Sequence, residues 1–229
     1  MRSIDYNKWA EYLSSISDEI GSENIDALEL AAGNCKIAEF LTKKYSRLIV
    51  SDISFNMLLQ NSNPEMTKIC CDMTLLPFRN KFDFIYSTFD SVNYISSKAK
   101  YKQFFHNVAE CLNDKGIFTF DVSLEQNSIK YQRYLNRTGK FNDIVYKQKS
   151  FFDRNKYIHY NHFEFTFADG KKIEEIHKQK IYPFEEYFKL IDNSDFYVHK
   201  CFQTFTYKNA DSNTERAQFI LKKKQNVNI

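Results

Sequence analysis

The chain has 229 residues, of which 43% are hydrophobic and 27% are charged, so it can bury a full core as one domain or as one domain with a sizeable insertion. Its formal net charge of +3 is mild, which argues against bulk electrostatic capture of nucleic acid or of an anionic membrane. With 5 glycines and 3 prolines, the composition also excludes a loop-rich or disordered protein.

The five cysteines show no pattern of a disulfide framework or of a metal site. They form no CxxC pair and no Cys/His ligand spacing, and an odd number suits reduced thiols in a cytosol. No run approaches the roughly 18 apolar residues needed to span a bilayer, and no apolar signal core follows Met1. We therefore expect a cytoplasmic protein with no membrane partner and no metal.

Strands and helices alternate over the first half of the chain. An amphipathic helix is predicted from residue 4 to about residue 20, because its apolar residues fall on one side. Further strands are predicted at 28–30, 48–50, 67–71, 82–86 and 117–122, and further helices at 36–45, 55–60 and 98–112, with a turn at 114–116. This alternation predicts a parallel, doubly wound α/β sheet.

The pattern changes after residue 124. The runs "DIVYKQKSFF", "KYIHYNHFEFTF" and "KKIEEIHKQKIY" are β-rich and are separated by turn signals, which predicts an antiparallel meander. His159 and His162 would face opposite sides of it, so they are poor partners for a metal ion. Pro183 then opens a helix to about Ile191, and strands at 197–207 and 215–222 finish the chain.

The loop "DALELAAGNCKIAEF" at 26–40 has the position of a cofactor-binding turn but few glycines. Ligands of open α/β sheets bind beyond the carboxyl ends of the strands. In dinucleotide sites, glycines let a pyrophosphate approach backbone N–H groups, whereas this loop has Ala31, Gly33 and Cys35 at those places. Glu29 would repel a pyrophosphate and attract an ammonium or sulfonium centre, so the loop fits S-adenosylmethionine better than NAD or ATP.

Two further acids follow the next two strands. Asp52 lies about 20 residues beyond the loop, where a carboxylate can accept both hydroxyls of a ribose, although it could also cap the helix that follows. Asp72 ends the third strand and could accept a hydrogen bond from adenine, with Met73 among the apolar neighbours of the purine. The joint spacing favours binding over capping.

In order along the chain, these segments resemble the motifs of class I S-adenosylmethionine-dependent methyltransferases: "ELAAGNC" at 29–35, "VSDIS" at 50–54, "DM" and "LPF" at 72–78, and "FDFI" at 82–85. The runs "FDSVNYI" and "EEIHKQKIYPFEEYFKLI" are similar to a small-molecule subgroup that includes bacterial amino-sugar N,N-dimethyltransferases. The resemblance covers nearly the whole chain. It implies a Rossmann-like, seven-stranded, mostly parallel sheet with helices on both faces and an antiparallel β insert after the fifth strand.

The same resemblance implies how the chain is divided. The cofactor-binding core is expected at 1–124 and 183–229, and the insert at 125–182 as an acceptor-side lid or a dimer surface. The family's first motif usually has glycine at the positions of Ala31 and Cys35. Alanine adds little backbone strain there if its φ stays negative, but its side chain narrows the space beside the methionine part of the cofactor. The expected cofactor-binding residues are Tyr6, Trp9, Glu29, Ala31, Gly33, Asp52, Ile53, Met57, Asp72, Met73, Ser87 and Phe89.

Methyl transfer from an activated sulfonium mainly requires that nucleophile, methyl and sulfur be held in line, so no sharp catalytic signature is expected. A neutral amine needs no strong base, whereas an oxygen nucleophile would want one nearby. The candidates are Tyr12 on the first helix, Asp90 after the fourth strand, and His177, which shares a strand face with Glu175 and Gln179. Core packing is the alternative for Tyr12, and a solvated sheet face is the alternative for His177.

The predicted function is methyl transfer from S-adenosylmethionine to a small-molecule amine or hydroxyl by in-line displacement. A nucleic-acid methyltransferase is an alternative, because Lys and Arg of 130–156 interleave with Tyr and Phe, although acids are interspersed among them. A non-catalytic binding protein of the same fold is a second alternative; the thinned glycine loop supports it, and the joint presence of Glu29, Asp52 and Asp72 opposes it. A homodimer through the insert is a further expectation.

Overall fold

The computed structural model describes residues 4–79 and 81–225. In chain order, its elements are α1 (Tyr6–Ser17), β1 (Asp26–Leu30), α2 (Ala38–Leu41), β2 (Arg47–Asp52), α3 (Phe55–Leu59), β3 (Thr67–Cys70), β4 (Phe82–Ser87), α4 (Lys98–Cys111), β5 (Leu112–Ser123), α5 (Glu125–Tyr134), β6 (Arg137–Phe141), β7 (Ile144–Asp153), β8 (Ile158–Thr166), β9 (Lys172–Lys180), α6 (Phe184–Asp192), β10 (Phe196–Gln203) and β11 (Arg216–Lys223). Short 3₁₀ turns occupy Asp18–Ile20 and Ser91–Tyr94.

The main sheet has seven strands in the order β10-β11-β5-β4-β1-β2-β3. β11 pairs antiparallel with both of its neighbours, and the other pairings are parallel. The predicted fold class is therefore confirmed. Because β1 lies between β2 and β4, the loops that leave the carboxyl ends of β1 and β4 diverge at this point of the sheet, which is where open α/β sheets bind ligands.

Each face of the main sheet is covered by helices. Tyr101, Phe104 and Phe105 of α4 are fully buried on one face, together with Tyr187 of α6. α1 and α2 cover the other face, where Leu13 is fully buried. Burying a large apolar side chain contributes roughly 1.5–3 kcal/mol to the stability of the fold. These side chains therefore stabilise the sheet from which the loops at the carboxyl ends extend.

A second sheet has four antiparallel strands in the order β6-β7-β8-β9. Its register places Phe152 of β7 opposite His159 of β8, and His159 opposite Gln179 of β9. His159 is buried, whereas His162 is partly exposed and lies beside Glu174 on the other face, so the two histidines do face opposite sides. Within the described ranges, no helix has the length and apolar character that crossing a bilayer requires.

Three elements differ from those predicted. The helix predicted at 36–45 is the single turn α2, because the chain turns back at once into β2, with the Ser46 N–H donating to the Ile25 carbonyl at 3.0 Å. The turn predicted at 114–116 is part of β5; Gly116 is needed there because a Cβ would lie 2.9 Å from the Asp83 carbonyl oxygen. The first part of the predicted antiparallel insert at 125–182 is the helix α5, in which only Ser128 is buried, so no apolar stripe indicates it.

Candidate active site

The loop after β1 is fastened to the end of β2 by Asp52. One carboxylate oxygen of Asp52 accepts the N–H of Gly33 at 2.7 Å, and the other accepts the N–H of Ser54 at 2.8 Å. The residue that caps α3 is Ser54, whose hydroxyl accepts the N–H of Met57 at 3.3 Å. Asp52 therefore connects two loops at the carboxyl edge of the sheet, and it is only partly buried.

The backbone of this loop is left-handed at three places. The φ angles are 54° at Ala31, 56° at Gly33 and 61° at Cys35. The condition under which alanine would cost little, a negative φ, is not met at Ala31. A left-handed backbone costs a non-glycine residue about 1–2 kcal/mol of conformational energy. The surrounding hydrogen bonds therefore have to hold the loop in this shape.

Glu29 is a buried carboxyl that forms no ion pair with any cationic side chain of the described residues. It is 2% exposed, and the Tyr86 hydroxyl donates to its Oε2 at 3.2 Å. A backbone N–H of α2, that of Ala38, also hydrogen-bonds to it. Burial raises the pKa of Glu29 to about 8, and the nearby Asp52 carboxylate adds to the rise. A cationic group brought next to Glu29 would relieve this cost and favour the carboxylate.

A cavity of about 210 Å³ opens between the loop after β1, the start of α1, α3 and the loop after β4. We call it the loop cavity. Six of the predicted cofactor-binding residues line it: Tyr6, Glu29, Ala31, Gly33, Met57 and Phe89. A Cβ at Gly33 would make an ordinary contact with the Met57 methyl at 3.5 Å, so the φ of 56°, and not a lack of space, favours glycine there.

The other predicted cofactor-binding residues lie around the loop cavity and do not line it. Asp52 adjoins it through the Gly33 N–H, and Ile53 beside it is 72% exposed. Asp72 accepts the N–H and the hydroxyl of Thr74, both at 2.8 Å. The remaining three are packed inside: Met73 against the core, Ser87 fully within the sheet, and Trp9 within α1.

Phe89 couples α1 to the loop after β4. Its ring lies 5.0 Å from that of Trp9 and 5.9 Å from that of Tyr6, measured between centroids. Both Phe89 and Asp90 have left-handed backbones, with φ angles of 56° and 50°. Two consecutive strained residues at the end of a core strand are typical of a functional site.

Asp90 belongs to a network of charges with Arg216 and Asp121. The Arg216 guanidinium donates to Asp90 at 2.8 Å and also to Asp121. The N–H of Asp90 donates to the same oxygen of Asp121 at 2.9 Å, and Gln179 donates to the other oxygen of Asp90 at 2.7 Å. Burial raises the pKa of the fully buried Asp121 to about 6, although Arg216 opposes the rise.

A second cavity, of about 370 Å³, lies on the other side of Asp90. We call it the polar cleft. Its walls come from the loop after β4, α5, β8, β9 and the start of β11, and include Asp90, Asn127, Tyr131, His159, Asn161, Gln179, Glu215 and Arg216. Phe89 lines the loop cavity and Asp90 lines the polar cleft, so adjacent residues of the loop after β4 line the two cavities.

Tyr12 and His177, the other predicted catalytic residues, lie outside the walls of both cavities. Tyr12 is buried against Phe205, with ring centroids 5.4 Å apart, and burial raises its pKa. His177 shares its face with Glu175, 3.5 Å away, and its Nδ1 lies 3.0 Å from the Tyr94 hydroxyl. Catalytic roles for both stay predictions.

The sequence interpretation missed Asp121, Arg216 and His159. Asp121 offered a signal, because an acid stands in the middle of the apolar run "GIFTFDVS", and buried acids need partners. Arg216 and His159 offered none, since they come from distant strands and form no short motif with the residues they meet.

Comparison with known proteins shows which proteins this chain is similar to. Residues 27–116 match the family model described as "Methyltransferase domain". Over 236 residues the chain is 24% identical to YqeM from Bacillus subtilis (strain 168), a protein for which methyltransferase activity is proposed; the match covers 99% of this chain and 94% of that one.

Two solved structures have the same fold. An S-adenosylmethionine-dependent methyltransferase from Clostridium acetobutylicum ATCC 824 is 24% identical and has a TM-score of 0.83, covering 97% of this chain and 94% of that one. The sugar N-methyltransferase KedS8 from Streptoalloteichus sp ATCC 53650 is 14% identical and has a TM-score of 0.77, covering 98% and 90%. Residues 27–116 of this chain thus resemble a methyltransferase domain, and its fold is that of class I, S-adenosylmethionine-dependent methyltransferases.

Proposed function

We propose that the loop cavity binds S-adenosylmethionine and that the polar cleft binds a small amine, which receives the methyl group. The observation that carries this proposal is that the adjacent residues Phe89 and Asp90 line the two cavities and mark a boundary between them. Reactants on either side of this boundary would be held close together, and proximity is the main requirement of a methyl transfer.

The residues of the loop cavity suit this cofactor. Bound there, S-adenosylmethionine would supply a methyl group on a positively charged sulfur. Glu29 would hold the cationic amino-acid end, because the donors that its buried carboxyl has in the described part of the chain are neutral. Asp52 would accept the ribose hydroxyls, since each of its oxygens already accepts one N–H and keeps a second lone pair.

The charges at the cleft favour an amine over an acid. Asp90 and Asp121 are two acids, and Arg216 supplies one positive charge to balance them. Glu215 is a third acid, and it pairs with Lys130 at 2.7 Å. An amine, which is a cation at neutral pH, would be attracted to this cleft, and an acidic acceptor would be repelled. The fold neighbour KedS8, named a sugar N-methyltransferase, agrees with this class of acceptor.

The proposal includes the division of the chain. The core at 1–124 and 183–229 would bind the cofactor; the termini and residue 80 lie outside the described residues. The insert at 125–182 would form the acceptor side, because α5, β8 and β9 supply half of the residues that line the polar cleft. A homodimer through the insert stays a prediction.

The test is a paired acceptor assay. We would incubate the protein with S-adenosylmethionine and with amines that each have a hydroxyl counterpart, such as glucosamine and glucose, and measure S-adenosylhomocysteine by mass spectrometry. We expect turnover with an amine and not with its counterpart. Asp90→Asn should lower kcat/KM for the amine about 10- to 100-fold by removing one charge, while the exposed Glu11→Gln should not change it.

Two outcomes would overturn the proposal. Turnover of hydroxyl compounds alone would reject the amine class. Methylation of RNA in the same assay, without methylation of any amine, would favour the nucleic-acid alternative.

A further inference from the structure

We infer that His159 is the residue that takes the proton from the acceptor amine, with Ser150 holding its ring. This inference rests on the function proposed above and adds a catalytic residue to it. His159 lies on β8, outside every motif by which the family resemblance was recognised.

The position of His159 brings it to the boundary between the cavities. His159 lines the polar cleft and stands opposite Gln179 on the neighbouring strand, a spacing of about 4.8 Å. Gln179 in turn donates to Asp90 at 2.7 Å. The imidazole is therefore separated by a single side chain from Asp90, whose neighbour Phe89 lines the loop cavity.

One ring nitrogen of His159 has a hydrogen-bond partner, and the other has none among the described residues. Its Nε2 lies 2.6 Å from the Ser150 hydroxyl oxygen, and the Phe152 ring stacks on it at 6.2 Å. Among the described residues, no group hydrogen-bonds to Nδ1. When Nε2–H donates to Ser150, Nδ1 keeps a lone pair that can accept a proton.

The surroundings keep this imidazole uncharged at neutral pH. Burial lowers the pKa of His159, and the Asp90 carboxylate opposes the change only in part. A neutral imidazole is a base, whereas an imidazolium could not accept a proton.

The other ionisable groups around the ring are engaged elsewhere. From the loop after β4, Asp90 pairs with Arg216 of β11 and with Gln179 of β9. Glu215 of β11 pairs with Lys130, which extends from α5. Tyr131 of α5 also lines the cleft, and its hydroxyl can donate a hydrogen bond to a ligand there. Asp121 has no exposed surface with which to reach a ligand.

The reaction then balances in three steps. One N–H proton of the ammonium group moves to Nδ1 of His159, which frees the nitrogen lone pair. That pair forms the new N–C bond while the S–C bond of the cofactor breaks and its electrons stay on sulfur. The imidazolium of His159 returns its proton to solvent through the open cleft.

The test pairs His159→Gln with the control His162→Gln, a change on the opposite face of the same strand. Glutamine can still reach Ser150 but has no basic nitrogen. We expect His159→Gln to keep its melting temperature and its affinity for S-adenosylmethionine, to lower kcat about 100-fold with little change in KM, and to lose the acid limb of the pH profile. His162→Gln should match the parent protein in every measurement.

A second measurement needs no acceptor. With ¹⁵N-histidine-labelled protein saturated with S-adenosylhomocysteine, an NMR pH titration should show His159 neutral at pH of about 7 with its proton on Nε2. A proton on Nδ1, or turnover by His159→Gln within about threefold of the parent, would overturn the assignment. If no amine is methylated, the proposed function fails, and the NMR result still decides whether Nδ1 is a free base.

Discussion

Two buried acids near the active site are compensated in different ways. Asp121 has the Arg216 guanidinium against it. Glu29 has the Tyr86 hydroxyl and a backbone N–H, which are neutral donors. A buried acid without a cation is costly in the ionised form. A cationic ligand would therefore stabilise the ionised form of Glu29 more than that of Asp121.

This difference predicts how stability depends on pH. Burial raises the pKa of Glu29 from 4.5 to about 8, so the folded protein keeps a proton there that the unfolded chain has lost. The free energy of unfolding should therefore fall as the pH rises between these values, by up to about 1.4 kcal/mol per pH unit. Glu29→Gln should remove this slope and be more stable than the parent protein at about pH 8.

Urea denaturation at about pH 5.5 and about pH 7.5 measures the effect. Asp121 titrates with the same sign and His159 with the opposite sign, so the comparison between parent and variant isolates Glu29. The exposed Glu11→Gln serves as control and should keep the slope of the parent. An unchanged slope in Glu29→Gln would mean that Glu29 is ionised in the folded protein.

At the scale of elements, the loop after β1 is strained by its own sequence. Three of its residues have positive φ, and only Gly33 can adopt such a backbone at no cost. The strand before the loop and the bond from Gly33 to Asp52 hold it in place. The loop is therefore a rigid support whose shape is maintained against the preference of Ala31 and Cys35.

We expect Ala31→Gly to stabilise the protein by about 1 kcal/mol, because glycine relieves the left-handed backbone. The matched control is Ala32→Gly next to it, whose φ is not positive. That change should destabilise the protein by about 0.5–1 kcal/mol, because it only adds freedom to the unfolded chain. Chemical denaturation of both variants checks the sign, and equal effects would show that φ is not the cause.

Periodic apolar residues predicted most of the elements, and their absence explains the errors. α4 was predicted because Phe104, Phe105 and Val108 recur on one face. α5 was missed because it buries only Ser128, so its sequence carries no period. The glycine at 116 looked like a turn signal, although it serves a close approach between neighbouring strands.

In the molecule as a whole, Asn93 joins the two sheets. Its side-chain amide donates to the Ser123 carbonyl at 3.2 Å, the Lys180 carbonyl at 2.8 Å and the Tyr187 hydroxyl at 3.0 Å. Its carbonyl oxygen accepts the Ser123 N–H at 2.9 Å. The fully buried Asn93 thus ties the end of β5, the end of β9 and α6 to one point.

Asn93→Ala should lower the free energy of unfolding by about 3 kcal/mol, because it leaves several buried polar groups without partners. Thermal and urea denaturation measure the loss. The control is Asn7→Ala, which removes one exposed contact to Glu11 and should stay within about 0.5 kcal/mol of the parent. A small effect at Asn93 would mean that water replaces its bonds.

The sequence predicted the residues of the loop cavity better than those of the polar cleft. Glu29, Ala31 and Gly33 are close together in the chain, so one short motif contains them. The polar cleft joins Asp90 to His159 and Arg216, and such distant residues meet only through strand register. Local spacing carries no information about that register.

The placement of β11 has a consequence for how the protein is made. β11 lies between β5 and β10, although the chain reaches it last. During synthesis, β5 emerges from the ribosome with an unpaired edge, and this edge stays open while about 90 further residues are added, a few seconds or more at ordinary rates of translation. Until β11 has been synthesised, the open edge of β5 can pair with a wrong strand. The addition of β11, which begins at Arg216, completes the sheet and supplies part of the wall of the polar cleft.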